Sequence, residues 1–204
     1  VIAALFVETG GAYFGLEGVD PWDERRDART YAGPHPVVAH PPCARWCALA
    51  GLVEHLLGDE YRVGEDDGCF EAALEAVHAY GGVLEHPANS LAWRRFGLPR
   101  PARGGWQGNL ELEGWCTEVD QAAYGHPARK RTWLYAVGVD SLPALDWSSP
   151  AVSRKVAGFT HQTPGEPHVS MEEWRVRPRE ASATPPAFRD VLVELARSAE
   201  RVAA

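Results

Sequence analysis

An α/β fold built on a largely parallel sheet is predicted by three features of the 204-residue chain. Short apolar runs recur, each cut off by glycine or proline, as buried strands are. Two stretches of helical periodicity lie between the second and third runs, which suits a crossover between parallel strands. The runs also end in chemically useful groups, and open α/β sheets bind ligands outside the carboxyl ends of their strands. With 45% hydrophobic and 24% charged residues the balance is that of a globular protein. The length suits one domain with a real core, so residues 1–204 are read as a single domain.

Residues 2–7 form the first expected strand, ended by Glu8-Thr9-Gly10-Gly11. Residues 18–35 are polar and turn-rich, with Asp20-Pro21 and Gly33-Pro34 as breakers. Pro36-Val37-Val38-Ala39 is the second strand, stopped by His40-Pro41-Pro42-Cys43, because consecutive prolines cannot continue a central ladder. A helix is expected from Ala44 to Leu57, with Gly58 placed to end it. A second helix runs from about Asp67 to Tyr80, with Phe70, Leu74 and Val77 on one face. Val83-Leu84-Glu85-His86-Pro87 is the third strand. A short amphipathic piece follows at 90–96, then a loop rich in proline and glycine from Leu98 to Gly108. Trp115–Val119 and Thr132–Val137 read as a hairpin-like pair at an antiparallel edge, and about 139–180 as irregular. Pro185-Pro186 opens a last helix through Arg201, proline being tolerated in a first turn.

No apolar run approaches the ~20 residues that span a bilayer. The opening Val-Ile-Ala-Ala-Leu-Phe-Val is too short and unflanked for a signal peptide. Met171 is the one methionine, which implies an initiator removed or outside the numbering. Cys43, Cys47, Cys69 and Cys116 form no CxxC pair, so reduced thiols in a cytoplasm are expected. The net charge of −8 argues against coating nucleic acid by bulk electrostatics. Local basic faces remain open: Arg129-Lys130-Arg131, and the alternating Arg175, Arg177 and Arg179.

Cys43 is either a nucleophile or a buried structural thiol. A place between strand end and helix start favours thiolate, and the rigid Pro-Pro turn fixes its direction. Glu85 ends an apolar strand, where a carboxylate is expensive to bury unless hydrogen-bonded or protonated, and such a group suits a ring nitrogen or an amidine-like base edge. The alternative is an exposed glutamate just past the sheet. Arg129, Lys130 and Arg131 precede a strand and suit a phosphate or a base carbonyl, or are solvated turn charges. His40, Cys43, Cys47 and His86 invite a metal, but the Cys43–Cys47 spacing is unlike a zinc knuckle, and no metal is expected. Gly10-Gly11 with Gly15 lacks full GxGxxG spacing.

Taken in order, these pieces resemble the C5-cytosine DNA methyltransferase family. Leu5-Phe6-Val7-Glu8-Thr9-Gly10-Gly11 and Gly15-Leu16-Glu17 match in part its cofactor loop and the Gly-Leu-Glu that follows. Pro41-Pro42-Cys43 matches its Pro-Pro-Cys, and Glu85-His86-Pro87 its Glu-Asn-x strand end. Tyr124-Gly125-His126-Pro127 through Arg131 to Val137-Gly138 resembles its Tyr-Gly-x-Pro-Gln-x-Arg-x-Arg segment and the strand after it. Ala183-Thr184-Pro185-Pro186 is similar to its closing motif. The chain also resembles small proteins encoded by bacteriophages, whose place would be the host cytoplasm.

The resemblance implies a Rossmann-like methyltransferase fold, with helices on both faces of the sheet, and S-adenosylmethionine as cofactor. Phe6, Gly10, Gly11, Asp20 and Pro41 would bind it. Cys43 would attack C6 of the base, Glu85 would handle N3 and the amino group, and Arg131 would complete the catalytic set. Pro42, Arg129 and Lys130 would bind substrate. The expected partner is DNA, possibly single-stranded, or a pyrimidine nucleotide, with no membrane and no obligate protein partner. The chain departs from the family in three ways. The interval from Gly11 to Cys43 is short, so one strand–helix unit is expected to be cut down. Ala44 stands where the family has glutamine, and no target-recognition domain fits between Gly138 and Thr184. A free pyrimidine nucleotide, another one-carbon donor, or a non-catalytic binding module are the competing expectations.

Overall fold

A computed structural model describes residues 1–109, 114–139, 141–152 and 178–199. Among these residues seven strands form one mixed sheet: β1 (Ile2–Leu5), β2 (Val19–Trp22), β3 (Val37–Ala39), β4 (Gly82–Pro87), β5 (Gln107–Asn109), β6 (Gly114–Asp120) and β7 (Arg131–Val137). Their order across the sheet is β2-β1-β3-β4-β7-β6-β5. The pairs β2–β1, β1–β3 and β3–β4 are parallel, and β4–β7, β7–β6 and β6–β5 antiparallel. The sheet is therefore half antiparallel, not a parallel sheet with a two-stranded edge.

Both extra strands lie in segments whose local sequence reads as turn or loop. β2 carries Pro21 in its middle, which only an edge strand tolerates, and β2 is an edge paired on one side to β1. β5 is a three-residue edge at the other end, with Gly108 opposite Trp115. In the centre, β1 and β3 are buried throughout because both faces are covered.

Among the described residues five helices accompany the sheet: α1 (Ala50–Leu57), α2 (Cys69–Tyr80), α3 (Leu91–Arg95), α4 (Pro178–Ser182) and α5 (Pro186–Arg197). Helix α2 buries Phe70, Ala73, Ala76 and Val77 against Ala3, Leu5, Val37, Ala39 and Leu84. Helix α5 covers the opposite face, burying Phe188, Leu192 and Leu195 against Ile2, Ala4, Val38, Val83 and Leu134. Leu74 is only partly buried beside the first cluster. No described helix is long and apolar enough to cross a membrane.

Helix α1 starts at Ala50 rather than Ala44. Trp46 explains the delay: its indole Nε1 donates to Asp66, and its carbonyl accepts from Leu91 N and is lost to the helical ladder. Helix α5 ends at Arg197 rather than Arg201, which lies outside the described residues. So do most of the expected irregular segment, Arg175, Arg177 and the Arg179 side chain. At the β3–β4 junction Gly82 has φ +121, and a Cβ there would sit inside the Val37 backbone. Only glycine lets these two strands approach so closely.

Candidate active site

The β3–β4 register builds the centre of the site. Ala39 pairs with Leu84, so the next residues along the parallel strands, His40 and Glu85, are neighbours. Side chains alternate along β4: Val83 and Glu85 face the α5 layer, while Leu84 and His86 face α2. Glu85 is 7% exposed and accepts two hydrogen bonds. His40 Nδ1 lies 2.9 Å from its Oε2, and Gln121 Nε2 donates to its Oε1 at 3.1 Å. Burial alone would push the Glu85 carboxyl up. The His40 bond and charge, then Lys130, outweigh burial and hold it at about 2. Glu85 is thus an ionised, acceptor-only group at neutral pH.

Beyond His40 the chain turns through buried Pro41 and exposed Pro42 to Cys43, which is partly buried. The Cys43 carbonyl opens a turn by accepting from Trp46 N and Cys47 N. Burial, the Glu85 carboxylate and Cys47 raise the Cys43 pKa, and the charge of Lys130 opposes them without prevailing. At rest the group is a thiol. The thiolate expected from a helix start is disfavoured by burial and by the Glu85 charge, and α1 itself begins only at Ala50.

The 121–130 connection returns on itself. Asp120, nearly fully buried, accepts from Ala122 N, Lys130 N and Arg129 Nε, and Gln121 N bonds the Lys130 carbonyl. This closure brings Lys130 within electrostatic reach of Glu85 and Cys43, and burial lowers its pKa. Its ammonium donates to the carbonyls of Ser182 and Ala183, fastening the end of α4 to the site.

Arg129 and Arg131 lie elsewhere. Arg131 grips buried Glu118 with two donors, at 2.9 and 2.8 Å, and Arg103 and the Trp133 indole share that carboxylate. Arg131 follows the alternation of Trp133, on the sheet face opposite Glu85. Arg129 is held by Asp120 and Ser149. Of the basic triplet, only Lys130 meets the Cys43–Glu85 pair.

At the end of β1, Phe6 has φ 58, a left-handed conformation costly for a bulky residue. Gly10 has φ 69, and a Cβ on Gly11 would come 2.9 Å from the Glu8 carbonyl oxygen. Asp20 lies within β2, half-exposed, both oxygens engaged by Arg26 and the Trp22 indole. The carboxylate at the carboxyl end of β2 is instead Asp23, 5% exposed and accepting from Thr9 Oγ1 at 2.6 Å. That Thr9 bond, above other influences, lowers its pKa.

No protein-family model matches the chain, and neither a curated protein nor a solved structure does. Among the described residues no group of three or more His, Cys, Asp and Glu side chains is placed to hold a metal ion. His40 and His86 face opposite sides of the sheet, which divides the metal set drawn from the sequence.

Sequence reasoning missed Tyr13, Gln121 and Asp23. Tyr13 donates to or accepts from His40 Nε2 at 2.7 Å, and Gln121 is fully buried beside Glu85. Gln121 lies two residues past the predicted strand Trp115–Val119, and a polar residue near a strand end was the one available signal. Nothing local marks Tyr13.

Proposed function

We propose that the protein modifies C5 of a pyrimidine, with cytosine in DNA as the foremost candidate, through addition of Cys43 at C6. The observation that carries this reading is the pairing of Cys43 and Glu85 at adjacent strand ends. One is a thiol, the other a buried carboxylate held ionised, and Lys130 stands near both. The strand directions and the two helix layers support the finer assignment to a Rossmann-like methyltransferase fold.

Carbon 5 of a pyrimidine is a poor nucleophile until a sulfur adds at C6 and makes the ring an enamine. As the S–C6 bond forms, the Cys43 S–H bond breaks and its proton passes by way of Glu85 to ring N3. This route asks for a thiol rather than a standing thiolate, in line with the raised pKa. Lys130 offsets the negative charge shared by sulfur and carboxylate. C5 then attacks an electrophile and the C5 proton leaves to water; the C6–S bond breaks as the N3 proton returns by way of Glu85 to the sulfur, restoring both the ring and the thiol. A base in a duplex would first have to be flipped out, at a cost of a few kcal/mol.

The strand-end loop fits S-adenosylmethionine as donor: its turn needs Gly10 and Gly11, and buried Asp23 offers an acceptor at the neighbouring strand end. When bound it would supply an electrophilic methyl carbon. Phe6, Gly10, Gly11, Pro41 and Asp23 would hold it, with Asp20 committed to Arg26. The pairing of Arg129 and Arg131 with buried carboxylates favours a single-stranded or free pyrimidine over a duplex gripped at many phosphates.

Release of tritium from C5-labelled cytosine or uracil, in single strands, duplexes and free nucleotides, tests the reading without assuming a donor. Release that Cys43→Ala abolishes would establish the nucleophile and substrate class. No release from any pyrimidine, with or without S-adenosylmethionine, would leave Cys43 a structural thiol.

A further inference from the structure

A line of buried and part-buried side chains runs from the glycine-rich loop to the carboxylate of the site. Tyr13 belongs to that loop, His40 to the end of β3, Glu85 to β4 and Gln121 to the turn after β6. The Tyr13 hydroxyl is 2.7 Å from His40 Nε2, His40 Nδ1 is 2.9 Å from Glu85 Oε2, and Gln121 Nε2 reaches both Glu85 and Thr132. Tyr13 is 3% exposed, so its hydroxyl has no water to fall back on.

The polarity of this line follows from donor counting. An ionised Glu85 only accepts, so His40 Nδ1 and Gln121 Nε2 must both carry hydrogens toward it. With His40 neutral, Nε2 accepts from the Tyr13 hydroxyl; with His40 protonated, Nε2 donates to the Tyr13 oxygen, and in both states Nδ1 donates to Glu85. The Tyr13 and His40 rings also pack together, with centroids 5.3 Å apart.

We propose that Tyr13 and His40 are positioning residues for Glu85. They fix its orientation and the lone pairs it offers a substrate, and they tie that carboxylate to the loop after β1. The proposal rests on the pyrimidine C5 reading above and extends it to two residues that need not touch the ring. The other charged or titratable groups near this line are Lys130 and Cys43 around Glu85, with His86 behind it on the opposite face of the sheet, and Arg189 and Asp190 of α5 around Tyr13. None of these is a hydrogen-bond donor to Glu85 among the described residues, so His40 cannot be replaced by a neighbour.

The test compares His40→Ala, His40→Asn and Tyr13→Phe in the tritium-release assay over pH, with single-stranded cytosine polymer as substrate. Asparagine places an N–H near the position of Nδ1, and alanine removes it. His40→Ala should lower kcat/KM for release about 10- to 100-fold, the worth of one hydrogen bond to a charged group. Its acid limb should move to higher pH, because Glu85 loses the bond that favours its ionised form. His40→Asn should recover most of the rate and return the acid limb. Tyr13→Phe should lower the rate about 3- to 10-fold, as for a neutral hydrogen bond. Urea midpoints of all three variants identify any loss that is only unfolding. If Ala and Asn are equally impaired with an unmoved pH profile, His40 is merely packed and the proposal falls while the C5 reading stands. If the wild-type protein releases no tritium, the C5 reading falls and takes the proposal with it.

Discussion

Replacing His86 by phenylalanine should remove a specific acid weakness of the fold. His86 is 1% exposed on β4, edge-on to Phe70 and stacked at 17° on Trp93. Neither ring nitrogen has a hydrogen-bond partner among the described residues, and the Pro42 carbonyl lies near the ring without completing one. Burial pushes the pKa down from 6.5 to about 4, so the folded protein keeps the ring neutral. The unfolded chain binds a proton there below pH 6.5, and between pH 6.5 and 4 it therefore holds more protons than the native state. Stability rises with pH in that window and is lost on acidification. At 1.36 kcal/mol per unit the loss is roughly 2 kcal/mol by pH 5 and roughly 3 by pH 4. That is a sizeable part of the ~5–15 kcal/mol typical of a domain. Phenylalanine keeps the aromatic contacts and has nothing to protonate, so the variant should lack this loss. At pH 7.5 it should be more stable by about 1 kcal/mol, two buried unpaired nitrogens having gone. Urea unfolding followed by the fluorescence of the eight tryptophans, at pH 7.5, 6, 5 and 4, measures both curves. Glu85 does not confuse the result, since its own contribution is lost only below about 4.5, as pH falls toward about 2. Parallel stability curves for the two proteins between pH 7.5 and 5 would refute the reasoning.

Three further outcomes follow from other parts of the structure. Glu85→Gln should make Cys43 react faster with iodoacetamide at neutral pH, because the carboxylate is second only to burial in raising its pKa; the His40 tautomer can switch to keep the hydrogen bonds, so the fold should survive. Glu118→Ala should cost about 3 kcal/mol in urea unfolding, since it strands the buried Trp133 indole N–H and leaves Arg103 and Arg131 without their shared carboxylate. On the proposed reading with S-adenosylmethionine as donor, Asp23→Ala should weaken its binding by calorimetry about tenfold, the worth of one buried hydrogen bond, whereas Asp20→Ala should leave it within about twofold because Asp20 serves Arg26.

The sequence alone was enough to place the central strands, because Ile2–Leu5, Val37–Ala39 and Val83–Leu84 are buried runs with a hard stop after each. The same stops marked Cys43 and Glu85 as groups at strand ends. Helix α2 was equally legible, its period being local and its end marked by Gly81. What the sequence could not supply depends on residues far apart in the chain. The edge strands β2 and β5 owe their form to a partner strand rather than to their own propensity. The late start of α1 depends on Trp46 bonding across to Asp66 and Leu91. Arg129, Lys130 and Arg131 look equivalent in a row, yet two buried carboxylates take the outer pair and leave the middle one for the site. Tyr13, His40 and Glu85 come from three separated segments, and only the parallel register of β3 against β4 sets His40 beside Glu85. Local patterning decides where a strand stops, because burial and backbone stiffness act within a few residues. Which side chains then meet is decided by sheet register and loop closure, and those belong to the folded whole.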